Sequence, residues 1–247
     1  MLFLLQPRCD ALQMEKQFLV DELQNSGHSF LNATMKNIRL GKFDLFGDSI
    51  IPVGDIKYVE QSLKHFYGID HINPMEVPLC LRQEKYLKRS YEIVPFKNLP
   101  ENGRYFIKDV SGLKLLSCVG NKNTVLSMKG NQSHNYLCSE YVSDILSEYR
   151  IYFIDGHIEN VCNYNGDPTV PVNFSLIKEA NEVFKRERNY TESYTMDVMV
   201  TKSGTAIVEM HPFVSVGLYS TLWGRNLVHA YIDGIRYVKK WNTPCCP

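Results

Sequence analysis

The sequence lacks any run of 18 consecutive apolar residues, and it lacks an excess of charge of either sign. Lysine plus arginine and aspartate plus glutamate both total 27 among 247 residues, so the formal net charge is zero. Without a long apolar run, no membrane span is expected. Without a net field, neither nucleic acid nor an anionic membrane is an expected partner, and a small-molecule substrate is favoured.

Other signatures are absent as well. The seven cysteines show no Cys-x-x-Cys pair and no regular spacing, which argues against a zinc site or a disulfide scaffold and favours a reducing, cytoplasmic compartment. Neither a Gly-x-Ser-x-Gly elbow nor a Walker loop with its lysine occurs, so no side-chain nucleophile or P-loop is indicated. The apolar start, Met1 to Gln6, has no basic residue and stops at Pro7, which predicts a buried strand and not a signal peptide.

The first third of the chain has an α/β pattern. After the first strand, amphipathic spacing predicts helices over Ala11–Asn25 and over Asp55–Phe66, each followed closely by a glycine. Four prolines then punctuate residues 70–103, which predicts a junction between lobes. Within it, the stretch Leu81–Ser90 is rich in arginine and lysine and is expected to be a short helix with a solvated charged face.

The rest of the chain alternates differently. Strand periodicity dominates, and Asp155-Gly156 is a strong hairpin signal. The predicted strands are 104–110, 136–142, 148–154, 194–201 and 205–211, and the predicted helices are 174–188 and a terminal one over 222–238.

The last two of these strands form a predicted hairpin. If Lys202-Ser203-Gly204 is a three-residue loop, Thr201 pairs with Thr205 and, stepping outward, Asp197 lies directly opposite Glu209. Both carboxylates then project from one face of the sheet because side chains alternate along a strand.

Two carboxylates directly opposite each other destabilise a sheet unless a cation lies between them. Asp197 and Glu209 offer the hard oxygen ligands that suit Mg²⁺ or Mn²⁺. His211 extends the same face, as a third ligand or as a partner of a ligand. The alternative is a solvated acidic pair on an exposed sheet, with His211 ending the strand before Pro212.

The order of these motifs resembles the ATP-grasp superfamily, and in particular the short members of its clade marked by one arginine and two lysines. The sequence departs from the family at His211, where an asparagine is common; metal number or affinity could differ there, or catalytic competence could be partly lost. The matching stretches are Ile51-Pro52-Val53-Gly54-Asp55, Phe106-Ile107-Lys108, Ser139-Glu140-Tyr141-Val142, Glu148-Tyr149-Arg150, Asp197 with Val208-Glu209-Met210-His211, and Gly217-Leu218-Tyr219.

The resemblance implies an α+β chain with the ATP-grasp fold. A small α/β N-terminal lobe (1–80) would precede an ATP-grasp domain (81–247), whose two antiparallel-sheet lobes (81–142 and 143–247) enclose a nucleotide cleft. ATP and Mg²⁺ (or Mn²⁺) are the implied cofactors.

It also implies roles for two lysines. Lys108, inside a strand, would contact ATP phosphates as a mobile point charge; a salt-bridged lysine is the alternative. The second lysine of the clade corresponds to Lys85 or Lys88.

Five further residues acquire roles from the resemblance. Glu140, Tyr141 and Val142 would border the adenine, and Glu148 would take the ribose hydroxyls. Arg150, two residues on and on the same face, would bind phosphates or the substrate carboxylate with a bidentate fork. A simple Glu148–Arg150 surface pair is the alternative.

The implied activity is carboxylate–amine ligation through an acyl phosphate, with Lys108 and Arg150 as catalytic charges and a small-molecule or peptide carboxylate and an amine as substrates. A homodimer is possible. Two alternatives stay open: a catalytically silent nucleotide-binding module, and a kinase or nucleotidyl transferase that uses the same cleft.

Overall fold

The computed structural model describes residues 1–7, 13–112, 115–219 and 226–242, with the side chains of the first helix described from residue 16 onward. The strands are β1 Leu2–Leu5, β2 Ser29–Asn32, β3 Ile50–Val53, β4 Tyr91–Pro95, β5 Tyr105–Asp109, β6 Ser117–Gly120, β7 Asn135–Glu140, β8 Ser147–Ile154, β9 His157–Gly166, β10 Tyr194–Thr201 and β11 Gly204–Pro212. The helices are α1 Gln13–Ser26, α2 Met35–Arg39, α3 Ile56–Tyr67, α4 Glu84–Leu87, α5 Lys122–Ser127, α6 Phe174–Phe184 and α7 Leu227–Asn242.

The N-terminal part is a parallel three-stranded sheet with the order β2-β1-β3, as the alternation of strands and helices predicted. Helix α3 forms where its apolar spacing placed it. The Asp55 side chain accepts the backbone N–H of Tyr58 at its start, and Gly68 ends it in the left-handed conformation. The helix predicted from Ala11 is described from Gln13 onward.

Two antiparallel four-stranded sheets follow in the described residues, with the orders β4-β7-β5-β6 and β11-β10-β8-β9. The α+β class with a parallel sheet followed by two antiparallel sheets is therefore confirmed. Each sheet falls inside one of the predicted lobes, 1–80, 81–142 and 143–247, although the lobe boundaries themselves stay predictions.

The hydrophobic core is divided unevenly. One large cluster joins the N-terminal sheet to the β8–β11 sheet and to α6 and α7, whereas the β4–β7 sheet has a separate small core around Ile107 and Tyr136. Helix α7 is fixed to the N-terminal lobe by Glu22 of α1, whose carboxylate accepts the N–H groups of Leu227 (2.8 Å) and Val228 (3.3 Å). The first and third lobes therefore form one packed body.

The turn between β10 and β11 differs from the prediction. The three-residue loop over Lys202–Gly204 is wrong, because Thr201 pairs with Gly204 and the turn contains two residues. The Thr201 hydroxyl accepts the N–H of Ser203 (3.1 Å), which closes the shorter turn. The predicted pairing of Thr201 with Thr205 is consequently wrong as well.

A β-bulge farther along the hairpin restores the predicted pairing of the acids. Val198 lies opposite Ile207, the register then shifts, and Asp197 lies opposite Glu209. Val208 is the extra residue of the bulge. The two carboxylates therefore share a face, for a reason that the turn did not supply.

Two predicted helices are shorter than expected. Only four residues of the charged stretch 81–90 are helical, and Lys88 ends α4 in a left-handed conformation. Helix α6 ends at Phe184, short of residue 188. The terminal helix is described from Leu227, and its predicted residues 222–225 lie outside the described part of the chain. Within the part that the structure describes, no helix combines the length and apolarity needed to cross a bilayer.

Candidate nucleotide and metal site

Four strands of the C-terminal sheet place one row of side chains across its width. Cys162 of β9 lies opposite Arg150 of β8, Arg150 opposite Asp197 of β10, and Asp197 opposite Glu209 of β11. Residues opposite each other in a sheet project to the same face, so the predicted arginine and both predicted acids are neighbours.

Arg150 and Asp197 form a bidentate ion pair. Nε and Nη2 of the arginine donate to the two carboxylate oxygens, each at 2.7 Å. Asp197 is 3% exposed, and the guanidinium lies over the ring of Tyr219 at 4.9 Å. Burial alone lowers the pKa of Arg150, but the hydrogen bond and charge of Asp197 outweigh it and raise the pKa above its ordinary value.

Glu209 is held by two cationic partners. Lys108 Nζ donates to one carboxylate oxygen at 2.5 Å, and His211 Nε2 lies 2.9 Å from the other. Burial alone would raise the pKa of Glu209, but His211 and then Lys108 outweigh it, so the pKa of this carboxyl lies well below its usual range. Because Lys108 belongs to β5, this contact joins the two antiparallel sheets.

These groups border a cavity of about 430 Å³ between the lobes. It also reaches the start of α3 and the segment that follows β11. Of the predicted site residues, Lys108, Arg150, Glu209 and His211 line it. The remaining lining residues are Asp55, Ile56, Pro74, Phe106, Gly112, Leu115, Ser117, Pro212, Val214, Ser215, Val216, Gly217 and Tyr219.

A second cavity of about 250 Å³ contains the stretch predicted to border adenine. Glu140, Tyr141 and Val142 line it together with Lys88 and Met199. Met199 shares a face of β10 with Asp197, two residues away, which is a distance of roughly 7 Å along a strand. The two cavities therefore lie at neighbouring points of one strand, the geometry that an elongated ligand requires.

The sequence of this site matches a family. Residues 86–224, more than half of the chain, match the family described as an ATP-grasp domain, family 2 of the clade marked by one arginine and two lysines. The chain belongs to that ATP-grasp family. No curated protein is significantly similar to it in sequence.

Solved structures with the ATP-grasp fold resemble the chain along nearly its whole length. A D-alanine–D-alanine ligase from Bacillus anthracis complexed with ATP has 12% identity and a TM-score of 0.55, covering 97% of this chain and 96% of that one. D-cycloserine synthetase DcsG has 10% identity and a TM-score of 0.56, covering 98% and 99%. N5-carboxyaminoimidazole synthetase from Staphylococcus aureus complexed with ADP has 11% identity and a TM-score of 0.51, covering 98% and 78%. At these identities the likeness establishes the fold.

Two predicted ligand-binding residues of this ATP-grasp protein lie apart from the acid row. Lys85 pairs with Glu179 at 2.6 Å on the surface and lines neither of the two cavities described above. Glu148 accepts a hydrogen bond from Asn165 Nδ2 at 2.6 Å and lies two residues from Arg150 on the same strand. Their nucleotide contacts stay predictions, and Lys88 is the better placed of the two candidate lysines.

The donor set suits a divalent cation. One ligand atom from each of Asp197, Glu209 and His211 lies within 4.8 Å of the others. Two carboxylates provide hard oxygen atoms, and the imidazole provides a softer nitrogen. Mg²⁺ or Mn²⁺ bound here would have to compete with Arg150 and Lys108 for the carboxylate oxygens.

Three polar residues near the site were missed in the sequence. Glu76 accepts a hydrogen bond from the Tyr91 hydroxyl (2.8 Å), and burial raises the pKa of its carboxyl. Tyr164 is the extra residue of a bulge in β9, and its ring lies 5.4 Å from that of Tyr219. Thr195 lies opposite His211, and its fully buried hydroxyl has no hydrogen-bond partner among the described residues. A bulge is the feature that a sequence pattern with fixed period two misses.

Proposed function

We propose that this chain is an ATP-dependent carboxylate–amine ligase that forms an amide or peptide-type bond through an acyl phosphate. The observation that carries the proposal is the alternation of charge across two sheets, Arg150, Asp197, Glu209 and Lys108, at the wall of one inter-lobe cavity. Membership of the ATP-grasp family and likeness to ligases of that fold support it.

The cation positions suit phosphoryl transfer. This reaction depends mainly on alignment and on stabilisation of negative oxygens. Lys108 would exchange Glu209 for phosphate oxygens, as a flexible ammonium can do. Arg150 is held by Asp197 and would present its fork to phosphate or to the substrate carboxylate. The cavity beside Glu140, Tyr141 and Val142 would accept the base.

The proposed reaction has two steps. An oxygen of the substrate carboxylate attacks the γ-phosphorus, the bond from that phosphorus to the β–γ bridging oxygen breaks, and ADP leaves. A neutral amine then attacks the acyl carbon, the carbon–oxygen bond to phosphate breaks, and inorganic phosphate leaves after the nitrogen loses its proton. No covalent bond to the protein is needed at either step.

Asp197, Glu209 and His211 would hold the divalent cation. When bound, Mg²⁺ neutralises phosphate charge and favours in-line displacement. Asp197 and Glu209 must then share their oxygens between the cation and their present partners, which keeps their negative charge balanced before and after nucleotide binding.

Isothermal titration of ATP with and without Mg²⁺, on the wild type and on Asp197→Asn, tests the nucleotide site. We expect Mg²⁺-dependent binding that the substitution removes. Assays with mixtures of carboxylates and amines should then release ADP and phosphate only when both substrates are present. Absence of ATP binding in every condition would refute the proposal.

A catalytically silent nucleotide-binding module is the second candidate. The observation in its favour is that both oxygens of Glu209 are already engaged, by Lys108 and by His211. A silent module would bind ATP with little Mg²⁺ dependence and release no ADP, and restoring the common residue with His211→Asn would increase the Mg²⁺ dependence. ADP release without an amine would indicate a kinase, and release of pyrophosphate would indicate a nucleotidyl transferase.

A further inference from the structure

Arg89 is a buried arginine outside the cavity walls described above. It is 9% exposed, and among the described residues no carboxylate pairs with it. Burial lowers the pKa of Arg89 below its ordinary value, which reflects the cost of keeping a cation there. Its side chain therefore has to be stabilised by dipoles.

Four hydrogen bonds from the guanidinium stabilise it. Nε donates to the Ser139 hydroxyl (3.0 Å), and Nη1 donates to the carbonyls of Leu87 (3.0 Å) and Ile207 (2.8 Å). Nη2 donates to the carbonyl of Val208 (3.1 Å). One side chain thus connects β7, the strand that leads into the base cavity, with β11, the strand that carries Glu209.

The two carbonyls on β11 belong to consecutive residues. In a regular strand consecutive carbonyls point to opposite sides, so one guanidinium would not reach both. They point to the same side here because Val208 is the extra residue of the bulge. The fork of Arg89 fits the bulged backbone and would leave a regular one with an unused donor.

The bulge decides where Glu209 points. If the register of Val198 and Ile207 continued without it, Asp197 would face Val208, and Glu209 would face Met196, which is fully buried on the opposite face. A slip of one residue moves side chains to the other face of a sheet. Glu209 would then lose Lys108, His211 and the cavity.

We propose that Arg89 is a positioning residue, which fixes the bulge of β11 and thereby holds the Glu209 carboxylate in the acid row beside the nucleotide strand. Its importance for metal binding rests on the proposed function. Its effect on the register of β11 does not.

The experiment compares Arg89→Met and Arg89→Lys with the matched control Arg82→Met. Arg82 also donates to a backbone carbonyl, that of Val77 (2.7 Å), and packs on an aromatic ring, but it does not contact β11. Two quantities are measured at a temperature where each variant is folded: hydrogen exchange of residues 204–212, and ATP affinity with and without Mg²⁺.

In both Arg89 variants we expect faster exchange in β11 and a Mg²⁺-dependent gain in ATP affinity reduced about 10- to 100-fold, the range for loss of a group that orients a metal ligand. ATP affinity without Mg²⁺ should change little. Methylguanidinium should restore both quantities in Arg89→Met. Lysine should not replace arginine, because an ammonium lacks the planar fork. The control should resemble the wild type.

Wild-type exchange in β11 of folded Arg89→Lys, or an equal effect in Arg82→Met, would overturn the proposal. A purely structural role would lower thermal stability while the folded variant kept its Mg²⁺ dependence, which would also overturn it. If Arg89→Met does not fold, Arg89→Lys decides. Wild-type protein without Mg²⁺-dependent ATP binding would refute the proposed function, while the exchange result and its rescue would still decide the role of Arg89.

Discussion

The described residues contain two clusters in which three acidic or imidazole groups lie close enough to share a cation. The first comprises Asp197, Glu209 and His211. The second comprises Asp155, Glu192 and Asp233, at the end of the C-terminal sheet where β8 turns into β9. Judged by ligand atoms alone, the second cluster has more acids.

The surroundings of the two clusters differ. The row of Asp197 contains a buried, bidentate arginine and borders the large cavity. The partners of the second cluster are looser: His229 lies 3.5 Å from Asp155, and the two-thirds exposed Arg236 lies 3.5 Å from Asp233. Exposed ion pairs contribute little and are screened by salt. Rigid counter-charges at a cavity therefore distinguish a functional acidic cluster from a solvated one better than the number of acids does.

The largest expected difference between the clusters is in stability. Arg150→Met would leave Asp197 buried without its partner, and breaking a buried pair from one side costs about 3–5 kcal/mol. Arg236→Met, at the exposed cluster, should change the free energy of unfolding by less than about 0.5 kcal/mol. Urea unfolding of both variants measures the contrast, and equal losses would show that burial does not separate the clusters.

The next largest effect concerns the metal. Glu209→Gln keeps the shape of the side chain and removes its charge, so Mg²⁺-dependent ATP binding should fall by more than about 100-fold, since loss of a mere supporting partner already costs 10–100-fold. Asp233→Asn should leave it unchanged. Titration calorimetry on both variants tests this. A folded Glu209→Gln protein with wild-type turnover would refute the metal site, and a loss of folding would favour a structural role for the carboxylate.

A smaller effect is expected for the ammonium of Lys108. A hydrogen bond to a charged group contributes about 1.5–3 kcal/mol, so Lys108→Met should weaken ATP binding by about 10- to 100-fold. Lys185, which pairs with Glu182 at 2.7 Å on the surface, is the matched control. ATP affinity of Lys185→Met should equal that of the wild type. If Lys108→Met binds ATP as the wild type does, its pairing with Glu209 is structural.

The sequence predicted the parts of this site that depend on local pattern. Helix α3 followed from its spacing, its Asp55 cap and Gly68. The opposition of Asp197 and Glu209 was predicted correctly, although the assumed loop was one residue too long and the bulge at Val208 compensated for that error. Local pattern alone cannot reveal such compensation, because both registers preserve the alternation over short stretches.

Long-range charge pairs were beyond the sequence. Lys108 and Glu209 are 101 positions apart and meet only because two separate sheets face each other. Arg89 lies in a run of arginines and lysines that resembled a solvated helix face, yet α4 stops at Leu87 and the guanidinium turns inward. The contacts of a charged side chain depend on the packing of whole lobes, which periodicity does not encode.

The smallest expected effect is the response of the buried cluster to acid. The pKa of Glu209 is lower in the folded protein than its ordinary value of 4.5, because His211 and Lys108 outweigh the effect of burial. A carboxyl of this kind stabilises the fold above its unfolded pKa and loses that contribution as the pH falls toward its folded pKa. The stability of the wild type relative to Glu209→Gln should thus be constant above about pH 5 and decline steadily below pH 4.5.

Urea unfolding in metal-free buffer between pH 7 and pH 3 measures this difference, and Lys108→Met is the informative companion. Removing one of the two cationic partners should make the decline shallower, since the pKa of Glu209 would move back toward its ordinary value. A difference between wild type and Glu209→Gln that does not change with pH would mean that the cations around Glu209 are solvated in solution. The buried cluster would then behave like the exposed one, and the contrast between them would reduce to the shape of the cavity.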